Sequence, residues 1–134
     1  LSEFANAYPH QLSGGMRRRV ALLMSLAVEP RILLMDEPFG ALDTHTKTHL
    51  HRELIEIWRK LGQTVVLVTH DLDEAITLSS RVVVLSSPPS TVLLDERIDI
   101  PHPRDVFSLR ESEQFLKHYR SIWSVLGQQF KAAA

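Results

Sequence analysis

The 134-residue chain has no cysteine, five glycines and no long apolar run. Without cysteine there is no disulfide framework and no thiolate chemistry, a composition compatible with a reducing cytosol. The longest apolar stretch, residues 20–28, is interrupted by Ser25 and is far shorter than the roughly 20 residues a bilayer span needs. Neither sign of charge dominates. Fifteen Lys and Arg against 16 Asp and Glu leave a formal net charge of −1, which gives no global attraction to nucleic acid or anionic lipid. The segment after Leu1 has neither a basic start nor an apolar signal core, so no secretory leader is expected in it, and a chain opening on Leu reads as a piece of something longer. Hydrophobic and charged fractions of 44% and 23% fit a globular chain rather than a disordered one, and the length suffices for a domain with a core.

Against that background two short stretches carry chemistry. Leu12-Ser13-Gly14-Gly15 opens a basic and apolar helical run. A hydroxyl, two unobstructed backbone N–H groups and the positive end of a helix dipole converge there, as an anion site requires. Ile32-Leu33-Leu34-Met35-Asp36-Glu37-Pro38 then reads as a strand covered on both faces that delivers two carboxylates to its open end, where parallel sheets bind ligands. If the strand persists, pleat alternation lets Asp36 serve a metal and Glu37 a water.

Periodicity places these stretches in an α/β frame. A helix is expected over residues 13–28 and a strand over 32–35. Asp43 or Thr44 caps a second helix, with Leu50, Leu54, Ile57, Trp58 and Leu61 on its buried face and Gly62 at its end. Residues 64–69 form a strand, Asp71 and Glu74 a capping-box-like start to a helix reaching about Ser79, and residues 81–85 a third strand. That order predicts parallel strands with right-handed crossovers, half of a doubly wound domain. Residues 87–90 are a turn, 91–95 an antiparallel edge strand and 101–105 an extended proline-bearing connector. A last helix is predicted over 112–126, with Phe115, Tyr119, Ile122, Trp123 and Leu126 on one side and Gly127 at its end. There is no internal repeat, and the only low-complexity tract is Ala132-Ala133-Ala134.

Together, Leu12-Ser13-Gly14-Gly15-Met16, Leu33-Leu34-Met35-Asp36-Glu37-Pro38, Gly40-Ala41-Leu42-Asp43 and Thr69-His70-Asp71 resemble the signature motif, Walker B, D-loop and switch histidine of an ATP-binding cassette (ABC) ATPase, in the family's order. The Gln-Leu-Ser-Gly-Gly-Met variant and the late Pro103-Arg104-Asp105 are most similar to the nitrate, sulfonate and taurine importer branch. The resemblance implies a partial P-loop NTPase domain: a parallel sheet with flanking helices plus a C-terminal helix. Residues 1–86 correspond to the C-terminal part of the ATPase domain, and 87–134 to an edge strand, connector and helix of the same subunit. It further implies ATP and Mg²⁺ as ligands. Asp36 would act on the metal, Glu37 as catalytic base or water-positioning group and His70 on the γ-phosphate. Ser13, Gly14 and Gly15 would contact nucleotide held mainly by the opposite subunit of a homodimer or cassette pair, and Asp43 would communicate across it. Capping the next helix is an equally good reason for Asp43. The partners implied are transmembrane permease subunits and, indirectly, a periplasmic or lipid-anchored solute-binding protein, with no nucleic acid. The location implied is cytoplasmic, on the inner face of a bacterial membrane.

The sequence also sets bounds on that reading. G-x-x-x-x-G-K-[ST] does not occur in the 134 residues; by resemblance it, the glutamine loop and the adenine-stacking aromatic would lie upstream of Leu1. Because the P-loop does most of the β- and γ-phosphate binding in such enzymes, the chain is expected to be inactive alone, with an uncovered apolar face. A noncatalytic cassette fragment or interaction module, and a soluble nontransport ABC ATPase, are the alternatives. His45, His49 and His51 are assigned to a solvated helix surface in preference to a zinc site, since no further ligand is well placed. Arg17, Arg18 and Arg19 are likewise assigned to a solvated face. A Ser13, His70 and Asp36 hydrolase triad lacks Gly-x-Ser-x-Gly and is discarded.

Overall fold

The computed structural model describes residues 1–40 and 42–132; Ala41 of the expected D-loop and Ala133 and Ala134 of the alanine tract lie outside the described residues. The chain divides into two compact units, Leu1–Val68 and Thr69–Ala134.

In the first unit, α1 (Gly14–Ala27) starts where Ser13 leaves the extended region and its hydroxyl accepts the Met16 N–H at 3.2 Å. That bond satisfies one of the four donors that a helix N-terminus leaves open. Strand β1 (Ile32–Asp36) pairs in parallel with β2 (Thr64–Val68), Leu34 opposite Val66 and Asp36 opposite Val68. Between them runs α2 (Thr44–Leu61), capped by the Asp43 carboxylate and closed by Gly62 at φ 62°. At that left-handed dihedral a side chain is disfavoured, so glycine is the residue that stops the helix.

The expectation of two-sided cover for β1 is corrected. Leu33 and Met35 are buried, but Ile32 and Leu34 remain 61% and 72% exposed, and Val66 and Val68 on β2 are exposed beside them. One sheet face therefore meets solvent with an apolar surface. The buried side of α2 also differs: Leu50 and Leu54 are buried as expected, His51 and Ile55 join them, and Leu61 is exposed.

In the second unit, α3 (Leu72–Leu78) precedes β3 (Arg81–Leu85), which pairs antiparallel with β4 (Val92–Arg97). Among the described residues the strands form two two-stranded sheets, not one three-stranded parallel sheet. The β3–β4 pairing is set locally. Ser86 and Thr91 close the intervening turn, with the Ser86 N–H donating to the Thr91 carbonyl and the Thr91 N–H to Ser86 Oγ, both at 2.9 Å. An antiparallel hairpin needs only such a short turn, whereas a parallel partner requires a crossover.

Helix α4 (Glu113–Ala132) continues through Gly127, which was expected to end it. Gly62 is the described glycine at positive φ, and glycine inside a helix costs only about 1 kcal/mol relative to alanine. Ile76, Val82, Val84, Ile98, Ile100, Phe115 and Ile122 form one core, with Tyr119 and Leu126 packed against it. The aromatic stripe is packing rather than a ligand box. Phe115, Tyr119 and Trp123 stack successively at 6.3 Å, and Trp123 is half exposed. Buried His118 ties α4 to the sheet: Nδ1 lies 2.5 Å from Glu96 and Nε2 2.6 Å from Asp99, while Ser121 donates to Glu96. The His118 contact holds the Asp99 carboxyl below its ordinary range.

Candidate functional site

The turn into α1 and the turn into α2 open on one cleft of about 320 Å³, lined by Ser13, Gly15, Met16, Arg19, Leu42, Asp43 and Thr46. The sequence picks out Ser13, Gly15 and Asp43 separately, and the fold brings them to this one surface. Gly15 is close-fitting, since a Cβ there would stand 3.4 Å from Leu42 Cδ2. Gly14 does not line the cleft, and a Cβ on it would meet nothing within 4 Å. A helix N-terminus, a hydroxyl and a cationic Arg19 at one concavity suit an anionic ligand such as phosphate.

Arg17, Arg18 and Arg19 do more than solvate a helix face, and that expectation is corrected. Arg17 Nη1 donates to the Leu12 carbonyl at 2.7 Å, bracing the turn before α1. Arg18 Nη2 donates to the Glu37 carbonyl, which ties α1 to the end of β1. The triplet's position in the first turns of α1, beside the glycine pair, was the available signal.

Asp36 is the last residue of β1 and is exposed. Glu37 stands outside the strand at φ 44°, so the pleat does not orient it; a backbone turn does. Its N–H donates to the Val68 carbonyl at 2.9 Å. A non-glycine residue in the left-handed region costs on the order of 1–3 kcal/mol and persists where neighbours over-determine it. Here the Val68 and Arg18 bonds, with buried Phe39 two residues on, are those neighbours.

The donor set at Asp36 fits Mg²⁺. One carboxylate at a strand end suits a hard cation that keeps several waters and takes its other ligands from phosphate. Among the described residues no group of three His, Cys, Asp or Glu side chains is arranged as a protein-only metal cage. His45 and His49 are exposed neighbours with ring centroids 4.6 Å apart. His51, expected on the solvated surface, is instead 3% exposed and meets Phe39 edge-on at 4.5 Å.

His70 lies in the second unit and is exposed. The residues around it are fixed. The Asp71 carboxylate accepts N–H groups of Asp73 and Glu74 at 2.9 and 3.3 Å, and the Asp71 N–H donates to Thr69 Oγ1 at 3.0 Å. Thr69 Oγ1 in turn donates to Glu74 Oε2 at 2.6 Å. The expected capping box thus includes Thr69, whose hydroxyl links the Asp71 backbone to the Glu74 side chain.

At the start of α2, Asp43 Oδ1 accepts the Thr46 N–H at 3.0 Å. That hydrogen bond holds the carboxyl below its ordinary value of 3.8. A carboxyl lowered on folding contributes stability that is fully present above its unfolded pKa and is lost as pH falls through the folded one. The stability advantage over Asp43→Asn is therefore expected to shrink as pH drops below the ordinary carboxylate range, in an acid titration followed by circular dichroism. A difference independent of pH would contradict the capping role.

The first unit thus combines a helix start suited to an anion with a parallel strand that ends on a carboxylate, an arrangement of the α/β class. The family model described as "ABC transporter" matches residues 1–40 of the chain. The chain is 44% identical to the nitrate import ATP-binding protein NrtD of Synechocystis sp. over 94% of this chain and 49% of that protein. It is 44% identical to the aliphatic sulfonates import ATP-binding protein SsuB of Bacillus cereus over 86% of this chain and 44% of that protein. Against the nitrate import ATP-binding protein NrtC of Synechococcus elongatus it is 42% identical over 96% of this chain and 20% of that protein. The chain thus spans about half the length, or less, of these curated relatives. No helix among the described residues is long and apolar enough to cross a membrane.

Proposed function

We propose that this chain is the C-terminal part of an ATP-hydrolysing ABC importer subunit that energises uptake of a small oxyanion or sulfonate. The observation that carries the reading is the convergence of Ser13, Gly15 and Asp43 on one cleft, in a unit where β1 ends in Asp36 and Glu37 follows it at φ 44°. In this reading Ser13 and the backbone of Gly14 and Gly15 meet the phosphates of a nucleotide held mainly by a second subunit. Glu37 positions and deprotonates the attacking water, and His70 offers an N–H to the γ-phosphate. Asp36 would hold Mg²⁺, which when bound neutralises charge on the β- and γ-phosphates. Asp43 keeps its cap and faces the second subunit. Residues 1–86 belong to the ATPase domain and 87–134 to the remainder of the same subunit, which sits at the cytoplasmic face of permease subunits served by a solute-binding protein. The nitrate and sulfonate names of the relatives support the solute class.

A full-length subunit carrying His70→Ala tests this reading. Turnover is expected to fall about 100-fold, the scale on which a positioned charge-stabilising donor acts, with ATP still bound. Phosphate release at the unaltered rate would contradict the role.

A further inference from the structure

Arg104, in the connector after β4, is 6% exposed, and its guanidinium donors go to backbone carbonyls. Nε and Nη2 fork the Ile100 carbonyl at 3.1 and 2.9 Å. Nη1 reaches the carbonyls of Ile76, Thr77 and Ser79, each at 2.9 Å. Ile76 and Thr77 are in the last turn of α3 and Ser79 is its C-cap, where carbonyls have no partner inside the helix and the dipole is negative. Burial lowers the Arg104 pKa below its ordinary value, and the carbonyl hydrogen bonds offset the cost of burying the guanidinium.

The other end of α3 is the His70 turn. Seven residues make a strut of about 10 Å. Its N-terminus is pinned by Asp71, Thr69 and Glu74, and Glu74 is 1% exposed. A rigid strut held at both ends fixes the turn that carries His70, and the guanidinium is the part of that clamp supplied by the connector.

We infer that Arg104 is a positioning residue for ATP hydrolysis: by clamping the C-terminal carbonyls of α3 to Ile100, it sets the placement of His70 at the other end of the helix. This rests on the ATPase reading above. An ammonium on a flexible stem keeps the charge but cannot reproduce the planar fork, so Arg104→Lys is the discriminating change.

The test is steady-state phosphate release by the full-length subunit carrying Arg104→Lys or Arg104→Gln, with thermal unfolding of each protein. The expected result is a kcat lower by about tenfold to 100-fold, the scale of small misplacements in an active site, with KM for ATP unchanged and more activity kept by Arg104→Lys than by Arg104→Gln. Unaltered kcat in the folded fraction with a lowered Tm would overturn the inference, as would failure of both variants to fold. His70→Ala is measured alongside. If it turns over normally, the ATPase-site reading itself fails; if it is inactive while Arg104→Lys is unaffected, only the positioning role fails.

Discussion

Glu37→Gln in the full-length subunit is expected to bind ATP and release almost no phosphate. The change removes the charge and basicity of one carboxylate while conserving its size. The φ of 44° and the Val68 bond depend on the backbone, and Arg18 bonds to a backbone carbonyl, so the turn is kept. General-base contributions are typically about 10²–10⁴-fold, and a loss in that range is expected in single-turnover phosphate release with retained ATP measured on the same sample. Release at the unaltered rate would remove Glu37 from the chemistry.

The second large effect is structural, in the residue that backs that turn. Phe39 is completely buried and its ring meets His51 at 4.5 Å, holding the segment after Glu37 against α2. Phe39→Ala is expected to cost about 3–5 kcal/mol, the usual range for truncating a buried phenylalanine. Phe39→Leu, which leaves a smaller void, should cost less. Chemical denaturation of the full-length variants measures both. A loss under about 1 kcal/mol for Phe39→Ala would mean that the site collapses around the void and that Phe39 does not hold the turn.

Where local chemistry decides the structure, the sequence was a good guide. Asp43 and Asp71 cap the two helices expected of them, Gly62 stops α2, and β3 matches its expected bounds. Misreadings arose where local preference competes with tertiary contacts. Gly127 has an end-of-helix look, yet its small local penalty does not stop α4. The apolar run of β1 looked doubly covered because composition reports apolarity and not what lies opposite. His51, Arg18 and Arg104 were hidden for a related reason: each polar side chain is placed by a contact distant in sequence, a ring edge or a backbone carbonyl, that no local spacing announces. Asp36 and Glu37 were singled out by the apolar run before them, but the turn at Glu37, set by its φ and its bond to Val68, was not legible there.

The central claim is that the α1 cleft is one half of a composite nucleotide site completed by a second subunit. Light scattering of the full-length Glu37→Gln subunit, with and without ATP and with and without Ser13→Arg, tests it most directly. The account predicts a dimer that forms only with ATP and is lost when Ser13→Arg is added, because a bulky side chain fills the cleft shared with Gly15 and Asp43. An ATP-dependent dimer that forms equally well with Ser13→Arg would contradict it.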